Sequence, residues 1–192
     1  MRSSILPWVQ QTTELLLKLP DIVRAFERKS PQALGEFLRW IDAAEALLSA
    51  NRMAEAAQIA GHKARILAPA YDERTRSTTR KRQEAAAIGL AYDVQKTLQD
   101  ALEPSASKLR QARDATRVLL QIVAQSGALK YDPKVGFDTL IAQIWALCVS
   151  HEQLKPHAVQ LKTLLASDDI RLVLAGEIDL ADFDGSGAYA GK

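Results

Sequence analysis

Little in this sequence invites chemistry. One cysteine, Cys148, stands among 192 residues. No disulfide can form within the chain, and a lone thiol suits a reducing compartment. No run of about 18 apolar residues occurs, so no transmembrane helix is expected. The richest window, Leu140 to Val149, is too short and carries Gln143. The apolar patch from Ile5 to Val9 is broken by Pro7 and followed by Gln10, Gln11, Thr12 and Thr13. That does not read as a signal peptide. The expectation is a cytoplasmic protein with no membrane attachment. Nine glycines, three of them (Gly185, Gly187, Gly191) close to Lys192, leave few sharp turns. Nowhere do β-branched residues alternate with polar ones over a strand length.

Chemical constellations are also missing. The sequence holds no phosphate loop, nucleophile elbow or kinase signature, and no Glu-x-x-His pair of a di-iron bundle. Cys148 and His151 are three apart, with His157 further on. Zinc sites show two pairs of close ligands, and a Cys-His pair fixed on one helix has poor attack geometry. No metal, no cofactor and no catalytic residue is assigned, and the chain is not expected to be an enzyme. Asp182-Phe183-Asp184-Gly185-Ser186-Gly187 has the oxygen spacing of half a calcium loop. The loop's position twelve, where a bidentate glutamate belongs, would lie beyond Lys192.

What is present is helix. Alanine, leucine, glutamine, lysine and arginine dominate, and all favour it. Trp8, Leu15, Leu19, Ile22 and Phe26 make one face of a helix over about 4–29, with Pro20 as a kink or restart. Ser30-Pro31 reads as the start of a second helix with the stripe Phe37, Ile41, Ala44 and Leu48. After Asn51 an alanine-rich helix over about 53–67 completes a hairpin. Trp40, Ala44, Leu47, Ala56, Ala60 and Pro69 are spaced somewhat as in a tetratricopeptide unit. The proline is displaced, however, and one unit makes no array, so generic hairpin packing is the reading.

Beyond Pro69 the spacing predicts a helix over about 72–103 and another over 105–125, divided at Pro104-Ser105. Their stripes (Ile88, Ala91, Leu98, Leu102; Leu109, Ala112, Thr116, Leu119, Val123) suggest a protruding coiled-coil-like hairpin over 72–125. Residues 137–149 are nearly apolar all round, which calls for a central position or an interface. Helices over about 156–166 and from 167 to near Gly176 follow. The expected fold is therefore all-α: an antiparallel helical bundle of about six or seven helices. It forms a single helical domain over 1–176, and a flexible acidic tail follows over 177–192.

The formal net charge of +2 hides a division. From Lys63 to Arg82 there are seven basic and two acidic residues. Arg74, Arg76, Arg80, Lys81 and Arg82 form the candidate polyanion-binding cluster, because guanidinium groups fork onto phosphates and their binding releases counterions. The plain alternative is a solvated helix end paired with carboxylates of the same chain. From Asp168 to Lys192 six acidic residues face two basic ones, and this segment could fold back on the cluster. Two functions follow. One is a non-enzymatic protein-protein interaction module, acting as adaptor, regulator or subunit, with a protein partner or a homo-oligomer. The other is a nucleic-acid-binding protein contacting the phosphate backbone through 74–82.

Overall fold

The computed structural model describes residues 4–69 and 78–183. Most of them lie in seven α-helices and one short 3₁₀ turn, and no strand occurs among the described residues. The fold is an all-α helical bundle. Its residues gather into two compact units, one from Pro7 to Pro104 and one from Ser105 onward that also takes in the segment up to Leu6.

In the Pro7–Pro104 unit, α1 (Leu6–Glu27) buries Trp8, Thr12, Leu15 and Leu19 on one face. Pro20 lies inside it without ending it. Proline offers no N–H to the carbonyl four residues back, and its ring pushes that turn open. Trp40 acts on the same turn, where its Nε1–H donates to the Leu15 carbonyl at 2.8 Å. The helix closes with Ser30 N–H donating to the Ala25 carbonyl, Lys29 taking φ 55°.

Helix α2 (Ala33–Ala50) begins two residues after Pro31. Ser30 supports that start by accepting from the Gln32 N–H at 3.3 Å. Asn51 ends α2, its amide donating to the Leu47 carbonyl at 2.8 Å. Helix α3 (Glu55–Leu67) then packs against α2. The core of this unit combines Phe37, Ile41 and Leu48 with Ile59, Ile66, Val94 and Leu98. Phe37 stacks on Trp40 at 5.7 Å and meets Phe26 edge-on at 5.9 Å. Burying each such side chain contributes about 2 kcal/mol.

The expected hairpin over 72–125 does not form. Helix α4 runs unbroken from Thr79 to Ser126 with Pro104 inside it. The proline costs one hydrogen bond, to the Asp100 carbonyl. Pro104 and Asp100 are both exposed, so water can reach the freed group. Strong helix formers on either side carry the helix through. The two apolar stripes therefore never pair with each other. The earlier one enters the Pro7–Pro104 core as Ala87, Leu90, Val94, Leu98 and Ala101, while Ile88 is exposed. The later one is buried as read: Leu109, Ala112, Thr116, Leu119 and Val123.

The second unit adds α5 (Phe137–Ser150), α6 (Lys155–Leu164) and α7 (Ser167–Glu177), which contact one another. Helix α5 is not enclosed on every side. Leu140, Ile141, Ile144 and Cys148 are buried, but Ala142, Gln143 and Ala146 face solvent. Lys162 covers part of Trp145, its Nζ 5.6 Å from the ring centroid. Alanine is small enough to sit exposed at little cost, which is why an apolar count overstated the burial.

Two anchors close this unit. Asp169, fully buried in the first turn of α7, accepts from the Ser4 hydroxyl and, at 2.8 Å, from the Ile5 N–H. At the other end a 3₁₀ turn (Leu180–Phe183) buries Phe183, whose carbonyl accepts from Tyr131 N–H at 2.9 Å. The tail expected from 177 is thus folded as far as Phe183; positions 184–192 lie outside the described residues.

Candidate functional site: the exposed face of α4

Of the five basic residues singled out, Arg74 and Arg76 lie outside the described residues. Arg80, Lys81 and Arg82 occupy the first turn of α4. Thr78 caps that turn, accepting from Lys81 N–H through its hydroxyl at 3.4 Å and from Arg82 N–H through its carbonyl at 3.2 Å. Arg80 is spent internally: it donates to the Pro31 carbonyl and pairs with Glu84 at 3.0 Å. Arg82 is half-buried and reaches Thr79 Oγ1 at 3.4 Å. Lys81 is exposed.

Lys63, counted in the same basic stretch, is answered from α2. Its Nζ lies 2.6 Å from Asp42 and 3.7 Å from Glu45. The hydrogen bond to Asp42 raises its pKa most, desolvation opposes this, and the charges of Asp42 and Glu45 add to the rise. Sequence spacing could not show these pairs, because Asp42 and Glu45 reach Lys63 across the α2–α3 contact.

The acidic segment read as a partner for this cluster begins elsewhere. Glu177 sits between Arg113 and Arg117 of α4, at 3.4 and 2.6 Å. Its side chain is only 13% exposed.

Cys148 and His151 do not both lie within the body of α5. The helix ends at Ser150, and His151 leaves it in an extended conformation. Cys148 is fully buried, and desolvation pushes its thiol up to about 12. His151 lines a small cavity of about 140 Å³ with Ile122, Leu147 and Leu154. Among the described residues no three His, Cys, Asp or Glu side chains approach closely enough to hold a metal ion. Among them, too, no helix is long and apolar enough to cross a membrane.

A larger open groove, about 550 Å³, lies between α3 and α4 and is lined by Arg65, Pro69, Ala86, Leu90 and Asp93. Its two charges are of opposite sign, and its walls are otherwise mostly apolar.

The feature missed in the sequence lies on the outer side of α4. Ile88 is 57% exposed and Tyr92 69% exposed, one turn apart. Spacing alone puts Ile88 in the core stripe. The signal that would have moved it was the competing frame Ala87, Leu90, Val94, Leu98, Ala101, whose spacings of three and four are unbroken. Lys81, Ala85 and Lys96 extend the Ile88–Tyr92 pair into one exposed stripe at helical spacing. An apolar centre with lysines on either side can exclude water against a partner while the charges stay at the rim.

Compared with protein-family models, curated proteins and solved structures, the chain matches none.

Proposed function

We propose that this protein is a non-enzymatic helical interaction module, an adaptor, regulator or subunit of a larger assembly, that docks through the exposed face of α4. The observation that carries this reading is the Ile88–Tyr92 pair. Ile88 and Tyr92 share one face on adjacent turns, so together they offer contiguous apolar area to a partner. Tyrosine is favoured at interface centres, where it supplies area at little rotamer cost. A reducing, cytoplasmic setting fits the single thiol.

The test is site-directed cross-linking from position 92 in the full chain, compared with the Tyr92→Glu variant. Docking through this face predicts a defined protein adduct at position 92 and loss of association in Tyr92→Glu. Association that ignores Tyr92→Glu would remove the basis of the reading.

Nucleic-acid binding through Arg74, Arg76, Arg80, Lys81 and Arg82 is the second reading. It is supported by the capped, basic first turn of α4 and by exposed Lys81, and it is weakened by the internal use of Arg80. It predicts affinity that falls steeply with salt and collapses when Arg80, Lys81 and Arg82 become alanine. No binding of single-stranded or duplex probes at low salt would end it.

A further inference from the structure

The groove between α3 and α4 carries its two charges on opposite walls. Arg65 stands in the last turn of α3, with Ala68 and Pro69 just beyond it. Ala86, Gly89, Leu90 and Asp93 line the α4 wall at spacings of three and four, one stripe of that helix. The Gln83 side chain donates to the Leu67 carbonyl at 2.9 Å and ties the end of α3 to α4. Arg65 and Asp93 are both exposed, and among the described residues neither side chain has an ion-pair or hydrogen-bond partner. They line one groove without closing on each other. Other opposite charges in this unit do meet: Lys63 reaches Asp42, and Arg80 reaches Glu84.

Gly89 is a second, independent observation. It lies in the interior of α4, where glycine weakens a helix relative to alanine. A Cβ at this position would meet nothing within 4 Å, so packing does not demand glycine there. What the missing side chain leaves is room in the groove wall.

We infer that the groove binds a small zwitterion with an apolar body, namely a free α-amino acid with a large hydrophobic side chain. Arg65 forks onto its carboxylate through paired N–H donors. Asp93 accepts from its ammonium. The ligand side chain lies on Ala68, Pro69, Ala86 and Leu90, and about 550 Å³ leaves space for a ring. A ligand of one sign would satisfy one wall charge and leave the other facing its own sign or nothing. Both wall charges are hydrated before binding, so affinity is on the order of millimolar. This inference is independent of the docking role of α4.

The test is a titration of the isotopically labelled full chain with L-phenylalanine, followed by amide NMR shifts. Two derivatives run beside it: N-acetylphenylalanine, which lacks the ammonium, and phenylalaninamide, which lacks the carboxylate. Phenylalanine should give saturating shifts at Ala68, Gly89 and Leu90, and each derivative should bind roughly tenfold more weakly. Arg65→Gln should bind phenylalanine and phenylalaninamide alike. Asp93→Asn should bind phenylalanine and N-acetylphenylalanine alike. Gly89→Leu should lose binding while melting at or above wild type, because its Cβ meets no neighbour and leucine favours helix. Gly61→Ala has equally open surroundings on α3 outside the groove lining, and it should leave binding intact.

The absence of any saturable shift overturns the inference. So does equal binding of all three ligands, which would mean apolar adsorption alone. Phenylalaninamide binding as well as phenylalanine would make the ligand a peptide N-terminus and not a free amino acid. A Gly89→Leu protein that binds as wild type does would place the ligand outside the groove.

Discussion

Replacing Trp40 with phenylalanine takes away one hydrogen bond and part of a ring, and leaves the helix hairpin otherwise intact. Trp40 is 4% exposed, and its Nε1–H donates to the Leu15 carbonyl at 2.8 Å. That carbonyl lies in the turn of α1 opened by Pro20. Two losses follow. The bond itself is worth about 1 kcal/mol net; the Leu15 carbonyl keeps the Leu19 N–H of its own helix. Shrinking indole to phenyl removes roughly 1 kcal/mol of apolar burial and contact. The expected total is about 2 kcal/mol. At about 2–4 °C per kcal/mol for a chain of this size, Tm should fall by about 4–8 °C. Far-ultraviolet circular dichroism would follow the melt. A Pro20→Ala variant completes a double-mutant cycle. It restores an N–H to the Leu16 carbonyl and straightens the turn, so Trp40→Phe should cost about 0.5–1 kcal/mol less in that background. A Trp40→Phe protein melting within about a degree of wild type would refute the account. Equal costs in both backgrounds would sever the link to Pro20.

Three further outcomes are expected. Glu177→Ala should lower stability by about 1 kcal/mol, because Arg113 and Arg117 lose a shared carboxylate at the end of α7, and the difference should shrink in high salt. Thr12→Val should raise Tm, since the Thr12 hydroxyl is fully buried with no hydrogen-bond partner and a methyl fills the same space; a fall would show that the hydroxyl is satisfied. Native Cys148 should resist maleimides at neutral pH and react once the chain is unfolded in urea. Its thiol is raised from 9.0 to about 12 by desolvation, so between those values the unfolded chain ionises first. Its contribution to stability is complete below about 9 and is lost as pH rises toward about 12. A Cys148→Ala protein should lose stability less steeply across that window, and equal slopes would contradict the assignment.

Much of the fold could be read from spacing. The stripes Leu15–Leu19 and Phe37–Ile41–Ala44–Leu48 are buried as their period requires, and Asn51 ends α2, whereas α2 starts at Ala33 with Gln32 before it and not at Ser30-Pro31. Local pattern failed where the outcome depends on solvent or on distant groups. Pro104 reads as a stop, yet an exposed proline in a strongly helical context costs too little to end α4. The α4 stripe was read one register away because Ile88, Ala91, Leu98 and Leu102 also satisfy three-four spacing. The basic cluster was visible as charge, but its answering groups were not. Glu84 was close enough to expect, whereas Asp42, Glu45 and the Pro31 carbonyl become neighbours only after α2, α3 and α4 pack. The Ile88–Tyr92 face was hidden for the same reason, since exposure is a property of the packed chain.

The grip of Asp169 on Ser4 and Ile5 bears on the order in which the molecule is made. The two partners of the Ser4 contact are 165 residues apart. Ser4 and Ile5 leave the ribosome well over a hundred residues before the carboxylate that will hold them. The unit from Pro7 to Pro104 has all its residues long before that, and domains fold as they emerge. Vectorial assembly is therefore expected, with the later unit sealed by a contact that reaches back past the whole Pro7–Pro104 segment. Closing so long a loop costs only slightly more than closing one half its length. The delay falls on timing and leaves equilibrium stability almost untouched.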